Sequence, residues 1–458
     1  MIRTLLDYYC FPDTLFGHLS PVADLASGED GFFQFGEKNI CYGKNRTGVS
    51  MDVAGAGRFE ASKDVRIDGQ AIRLPFDFTD VIENLRRERY RRNMSLGKQA
   101  FSAGKSVRKL YYMVREWLPV SVRRQLQQVY LRDWKQLPFP AWPVDFTVDN
   151  LHQELLRLLM AASGTDKVPF IWFWPDGASS CLIMTHDVET AAGRDFTSGL
   201  IDLDASRGII ASYEVVPEER YEVPDEYVRK IRERGCEFNV HDLRHDGQLY
   251  QSRDTFLQRA KKINEYITKF GARGFRAGVM YRNLDWYDAY EFSYDMSVPN
   301  VAHLEPQRGG CCTVMPYFVD KILELPLTTT QDYSLFYILN DHSIDLWKRQ
   351  LHLIGQRNGL MSFISHPDYL INARNRRVYE ALLDYLQPMI ARENIWATLP
   401  GNVDRWWRAR NQMKVVPSGD GWEIVGPEKE RARLAYAVLD GEHLRYEIAG
   451  AVKENVRS

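Results

Sequence analysis

Short apolar runs alternate with amphipathic stretches from Phe170 to about Pro400, which predicts an α/β fold, and three observations narrow it to an incomplete (β/α) barrel. The strand candidates number about seven, one fewer than a regular barrel needs: Cys181 to Thr185, Ile209 to Tyr213, Glu237 to Val240, Gly274 to Arg276, Glu324 to Leu327, Met361 to Ser365 and Trp396 to Thr398. Helical patterns separate several of them, at Pro224 to Arg234, Ser252 to Phe270, Ser343 to Gly355 and Arg374 to Ile395. Carboxylates and imidazoles gather where two of these runs end, the position at which open sheets and barrels build their sites.

The flanks differ in character. Residues 1–80 hold short strand-like runs broken by Gly and Asp, such as Gly31-Phe-Phe-Gln-Phe and Val65-Arg-Ile-Asp, and read as a small mixed accessory domain. Residues 81–150 form a basic helical segment that ends in the rigid junction Pro138-Phe-Pro-Ala-Trp-Pro. An amphipathic helix from Asn150 to Met160 leads into a catalytic domain over 151–405, and 406–458 read as a small β appendage. The chain of 458 residues is long enough for this organisation.

Charge is distributed unevenly. Arg86 to Lys135 carries fourteen Arg or Lys against three acids, a surplus of eleven in a chain of net charge -2, which leaves about -13 for the remainder. Lys105 to Trp117 and Val120 to Trp134 mix these cations with Leu, Val, Tyr and Trp at near-helical intervals. Two readings stay open, helices packed on the catalytic domain or peripheral contact with an anionic membrane. No nucleic-acid partner is expected, because no zinc-finger, RNP or helix-turn-helix signature accompanies the charge. The six cysteines form no C-x-x-C pair and are expected to stay reduced. The N-terminal stretch lacks a signal-peptide pattern and no run approaches a membrane span, so the expected location is cytoplasmic, with the inner membrane face as its variant.

Two motifs carry chemistry. Thr185-His-Asp-Val-Glu189 ends one strand candidate, and an extended chain there points Asp187 and Glu189 to the same side. His241-Asp-Leu-Arg-His245 ends another, and one helical turn would set its imidazoles one above the other. Brought together, these groups suffice to hold one divalent ion and keep a carboxylate free as base. The blander reading makes the acids helix caps and the histidines polar loop residues. His186, on the opposite side of its strand from Asp187, reads as a satisfied core histidine, and His303 with Glu305 is left outside the site.

These motifs resemble those of the polysaccharide deacetylase family, the NodB-homology or carbohydrate esterase 4-like hydrolases, over roughly residues 175–400. The resemblance implies that Asp187 is the catalytic base and that Glu189, His241 and His245 bind the metal. Arg276-Ala-Gly-Val279 stands where the family has Arg-x-Pro-Tyr, which implies that Arg276 orients the base and the N–H of Val279 faces the oxyanion. Tyr294-Asp-Met-Ser-Val-Pro299 is similar to the fourth motif and gives Asp295 a supporting role, with pairing to Arg276 one option. Phe363-Ile-Ser-His-Pro367 is similar to the last, implying His366 as general acid and Ile364 as a wall of the acyl pocket. Three departures stand out: Glu189 is one methylene longer than the family's Asp, Gly278-Val279 replaces Pro-Tyr, and Val188 replaces the central Asp.

Each role has a plainer rival: Asp187 as a further ligand, Arg276 as an ordinary salt-bridging residue, His366 as a structural histidine before Pro367. The cofactor implied is a divalent metal, zinc first, with Ni, Co, Mn and Fe as alternatives. The function implied is removal of an N-acyl group, acetyl first, from an amino sugar or glycan intermediate. Alternatives are an amidohydrolase acting on a non-carbohydrate C–N bond, with or without metal, and a non-catalytic binding or scaffold relative.

Overall fold

The structure is a computed structural model, and it describes residues 2–16, 20–48, 58–68, 71–93 and 120–450. The chain forms two compact units, one from 1–85, 147–179 and 405–458, the other from 86–146 and 180–404. In the first unit the strand Lys167–Ile171 pairs antiparallel with Leu434–Asp440, which pairs in turn with His443–Ile448. That ladder joins the C-terminal stretch to the middle of the chain, so the ranges 1–80 and 406–458, read separately from sequence, share one unit. The buried Arg410 guanidinium fastens the same unit by donating to the carbonyls of Tyr8, Tyr9, Ile171 and Trp172.

The second unit holds the predicted incomplete barrel. Its strands are β1 (Ser180–Val188), β2 (Ala211–Val215), β3 (Glu237–His241), β4 (Gly274–Arg276), β5 (Tyr294–Asp295), β6 (Tyr317–Val319), β7 (Ile322–Glu324), β8 (Leu360–Ser365) and β9 (Ile395–Thr398). Eight run in one curled path, β6-β7-β5-β4-β3-β2-β1-β8, and β9 pairs with the start of β1. All neighbours are parallel except the β6-β7 hairpin. Ladder pairing gives way between β7 and β8, where Thr328 and Thr329 hydroxyls donate to the carbonyls of Leu360 and Ser362.

The helices that place the site are α1 (Val120–Leu131), α2 (Ala191–Ala205), α3 (Asp225–Glu233), α4 (Arg253–Phe270), α5 (Asp345–Gly355), α6 (Pro367–Leu370) and α7 (Ala373–Arg392). Local chemistry sets their ends: Ser252 caps α4 by accepting from the Thr255 N–H, and Gly271, at φ 58°, closes it in the left-handed conformation. All nine residues of β1 are buried, as a parallel strand covered on both faces requires. Leu182, Met184 and Val188 pack with Leu200 and Ile201 of α2 in the main core, so Thr185 and Asp187 face the barrel interior. Of the basic segment, Lys105 to Trp117 lies outside the described residues. No described helix is long and apolar enough to cross a membrane, and all six cysteines are free and buried.

His186 fulfils its expectation as a core residue. One ring nitrogen lies 2.8 Å from Ser365 Oγ on β8, the other 2.9 Å from Asp204 on α2, and Tyr379 of α7 donates to the second oxygen of that Asp. Serine, histidine and aspartate thus meet as in a hydrolytic triad, but with His186 fully enclosed they act as a strut between strand and helices. His186→Ala strips a partner from two buried polar groups and leaves a void. It is expected to cost about 3 kcal/mol, read as a lower urea unfolding midpoint.

Candidate active site

The carboxyl ends of β1, β3, β4 and β8 deliver the site. Arg276, last residue of β4, is fully buried, and both its side chain and its carbonyl do positioning work. Nη1 donates to Asp187 Oδ1 at 2.6 Å and to Thr185 Oγ1 at 2.9 Å, while Nε donates to the Met296 carbonyl at 3.0 Å. The Arg276 carbonyl lies 3.1 Å from His241 Nδ1 and accepts from the Asp242 N–H at 2.7 Å. A proton on Nδ1 of His241 therefore leaves the Nε2 lone pair directed at the site.

Glu189, His241 and His245 bring one ligand atom each within 4.8 Å of one another, the metal-competent cluster among the described residues. Glu189 Oε1 is 3.0 Å from His245 Nε2 and 3.8 Å from His241 Nε2. These separations bracket the roughly 3.4 Å expected between donors about 2.1 Å from a tetrahedral ion. Both Nε2 atoms are buried without a hydrogen-bond partner, a costly arrangement unless a cation occupies the space between them. The residues fit a divalent ion, with neutral imidazoles and one carboxylate as its donors. Burial opposes ionisation of Glu189, yet the imidazoles of His245, His241 and His366 hold its carboxyl well below the usual range. The extra methylene of Glu189 lets one oxygen reach a third imidazole, His366 Nε2 at 3.4 Å.

His241 and His245 are not related by a helical turn. His241 ends β3, and a loop with Asp242 at φ 53° and His245 at φ 54° brings the ring centroids to 4.9 Å. The facing turn has Val279 at φ 59° and Met280 at φ 53°. Left-handed non-glycine residues of this kind cost about 1–3 kcal/mol each and concentrate at functional sites. The second turn is held from behind: Arg282 donates to the Met280 carbonyl at 2.7 Å, and buried Glu88 pairs with Arg282. Gly278 is the point of closest approach between the loops, since a Cβ there would fall 2.4 Å from Asp242 Oδ2 and 2.8 Å from His245 Cδ2.

Asp187 and His366 each have a separate buried partner. Burial would push the Asp187 carboxyl up, but the Arg276 guanidinium, with His241 and His366, brings it below its ordinary value. Its second oxygen lies 3.7 Å from His241 Nε2, beside the ligand cluster. His366 follows β8, and its Nδ1 lies 2.6 Å from Asp332, which also accepts from the His366 N–H at 2.8 Å. Burial disfavours the imidazolium, but Asp332 and Glu189 raise the His366 pKa well above its usual value.

Two functional residues escaped the sequence reading. Asp332, buried beside His366, sits in Thr328-Thr-Thr-Gln-Asp332, where an acid following a threonine-rich strand end was the available signal. Glu214 lies inside the barrel on β2, directly opposite Asp187, with Oε2 3.5 Å from Arg276 Nη1. Burial, only partly offset by Arg276, pushes it up to about 7. The acid in Ala211-Ser-Tyr-Glu-Val215 was the visible clue. Asp295 is placed otherwise than as a direct partner of Arg276: Tyr287 and Ser297 hydroxyls each donate to it at 2.7 Å. Ile364 faces the interior opposite Thr185 and forms a small apolar cluster with Met280 and Leu327.

Gly278→Ala drives a methyl group into the loop that carries His241 and His245. The variant is expected to fold normally by circular dichroism and to bind zinc at least about 10-fold more weakly in chelator competition, the scale of loss seen when a ligand's support is disturbed.

No family model matches the sequence, and no curated protein sequence matches it. Solved structures do. A protein from Mycobacterium smegmatis assigned as a polysaccharide deacetylase is 16% identical, with 55% of this chain and 98% of that one covered at a TM-score of 0.43. Puue allantoinase is 12% identical, covering 51% and 92% at 0.41, and the peptidoglycan deacetylase PdaC from Bacillus subtilis is 10% identical, covering 51% and 93% at 0.34. Polysaccharide and peptidoglycan deacetylases and an allantoinase are thus among the solved structures to which this chain is similar.

Proposed function

We propose that this protein is a metal-dependent hydrolase that removes an N-acyl group, acetyl first, from an amino sugar or glycan intermediate. The observation that carries the reading is the meeting of Glu189, His241 and His245 with two proton-handling groups, Asp187 and His366, each fixed by its own buried partner. A divalent ion, zinc first, would supply Lewis acidity to activate water and polarise the acyl carbonyl. Asp187, with Oδ1 committed to Arg276, takes the water's proton on Oδ2. His366, kept protonated by Asp332, delivers a proton from Nε2 to the departing amine. The N–H of Val279 is assigned to the developing oxyanion, and Ile364, Met280 and Leu327 receive the acyl group. The products are a carboxylate and a free amine. Asp295, bonded to Tyr287 and Ser297, supports the β5 end behind Arg276.

A cytoplasmic location with peripheral contact at an anionic membrane through residues 86–135 accompanies this reading. Its support is the charge surplus of that stretch and the exposure of Leu126 and Val129 on α1. Binding to anionic but not neutral vesicles in a flotation assay is the expected result.

Release of free amine from N-acetylated amino sugars by the zinc-loaded protein tests the function. Asp187→Asn is expected to lower kcat by about 10³-fold, within the range for loss of a general base, without loss of metal. Asp332→Asn removes the carboxylate that raises the His366 pKa. The imidazolium should then deprotonate at lower pH, so the alkaline limb of the kcat profile moves to lower pH. Full activity after chelation would instead favour a metal-independent amidohydrolase.

A further inference from the structure

Leu327 belongs to two surfaces at once. On one side it completes the cluster with Met280 and Ile364, each at most 4% exposed and separate from the main core. On the other it walls a cavity of about 10 Å³, room for a single water, whose remaining lining includes Trp142, Leu304, Glu305, Thr328 and Gln350. That chamber sets polar groups of Glu305, Thr328 and Gln350 among apolar walls from Trp142, Val301 and Leu304, where the cluster is apolar throughout. The Glu305 carboxyl is buried and accepts from Gln331 Nε2 at 2.7 Å, and the next residue, Asp332, holds His366. Its floor is fixed as well, because the Thr330 N–H donates to Gln350 at 2.9 Å. Leu327 therefore stands between the Met280–Ile364 cluster on one side and this chamber on the other.

We propose that Leu327 is the gate that sets acyl length: it confines the pocket to an acetyl group, and its removal joins the pocket to the Glu305 chamber so that longer acyl chains are accepted. This rests on the N-acyl hydrolase reading above. The physical basis is that a leucine reduced to alanine vacates three carbons beside an existing void. A chain two methylenes longer than acetyl gains space there without moving Met280 or Ile364. In the native protein the same chain must displace Leu327, whose backbone is tied to the 298–300 segment, its N–H donating to the Val298 carbonyl and its carbonyl accepting from the Asn300 N–H.

The test compares zinc-loaded native protein, Leu327→Ala and Leu327→Val on N-acetyl-, N-propionyl- and N-butyrylglucosamine, with acetate and butyrate binding measured separately by calorimetry. The native protein should prefer acetyl to butyryl by about 100-fold or more in kcat/KM, since a misfitting methylene is worth about 10–200-fold. Leu327→Ala should shift that ratio toward butyryl by at least about 10-fold and bind butyrate more tightly than acetate. Leu327→Val, the smaller change should alanine fail to fold, should relax only the propionyl ratio. A native ratio near one, or an unchanged ratio in folded, metal-bearing variants, overturns the gate. If nothing is turned over but the carboxylates bind with the predicted exchange of preference, the gate stands and the hydrolase reading falls. If neither carboxylate binds the native protein, both fall.

Discussion

A cation with no access to solvent organises this site. Taking the Arg276 guanidinium out of water costs several kcal/mol unless it is paired and hydrogen-bonded, and the chain offsets that cost through Nε and Nη1, with Asp187, Thr185, the Met296 carbonyl and, at longer range, Glu214, while Nη2 is left without a hydrogen-bond partner. The pairing aims Asp187 before any substrate arrives. Through its carbonyl the same residue fixes the His241 tautomer and anchors Asp242. One residue at the end of β4 thus contacts both Asp187 and the segment that carries His241.

The division of labour follows from separate partners. Asp187 faces a permanent cation and stays ionised, whereas His366 faces a carboxylate and stays protonated. Two groups placed together with opposed environments have opposed proton-transfer roles. Glu189 lies between them, one oxygen near His241, His245 and His366. The added methylene relative to aspartate therefore reads as reach: it sets one carboxylate oxygen among the three imidazoles of His241, His245 and His366.

Much of this was legible in the sequence because parallel strands buried on both faces appear as unbroken apolar runs. Cys181 to Thr185, Met361 to Ser365 and Trp396 to Thr398 lie within β1, β8 and β9 respectively, and the acids and histidines that follow the first two stand out. Strands β5 and β6, of two and three residues, were too short to show a period. Only Glu324 of Glu324 to Leu327 is strand, because the chain leaves the ladder there and bonds through threonine hydroxyls. Residues whose meaning depends on distant partners stayed hidden. Asp332 needs His366 and Glu214 needs Arg276, 34 and 62 positions away. The loop over His241 to His245 was concealed for a different reason, since left-handed Asp and His carry no sequence mark comparable to glycine.

The central claim is that Glu189, His241 and His245 converge on one divalent ion with Asp187 beside it rather than bound to it. Anomalous diffraction from zinc-loaded crystals, collected on both sides of the metal edge, tests it most directly. The account predicts one strong peak per chain about 2.0–2.2 Å from Glu189, His241 Nε2 and His245 Nε2, with Asp187 still paired to Arg276. A peak bonded to Asp187 after that pair has broken, or no peak at this cluster, would contradict it.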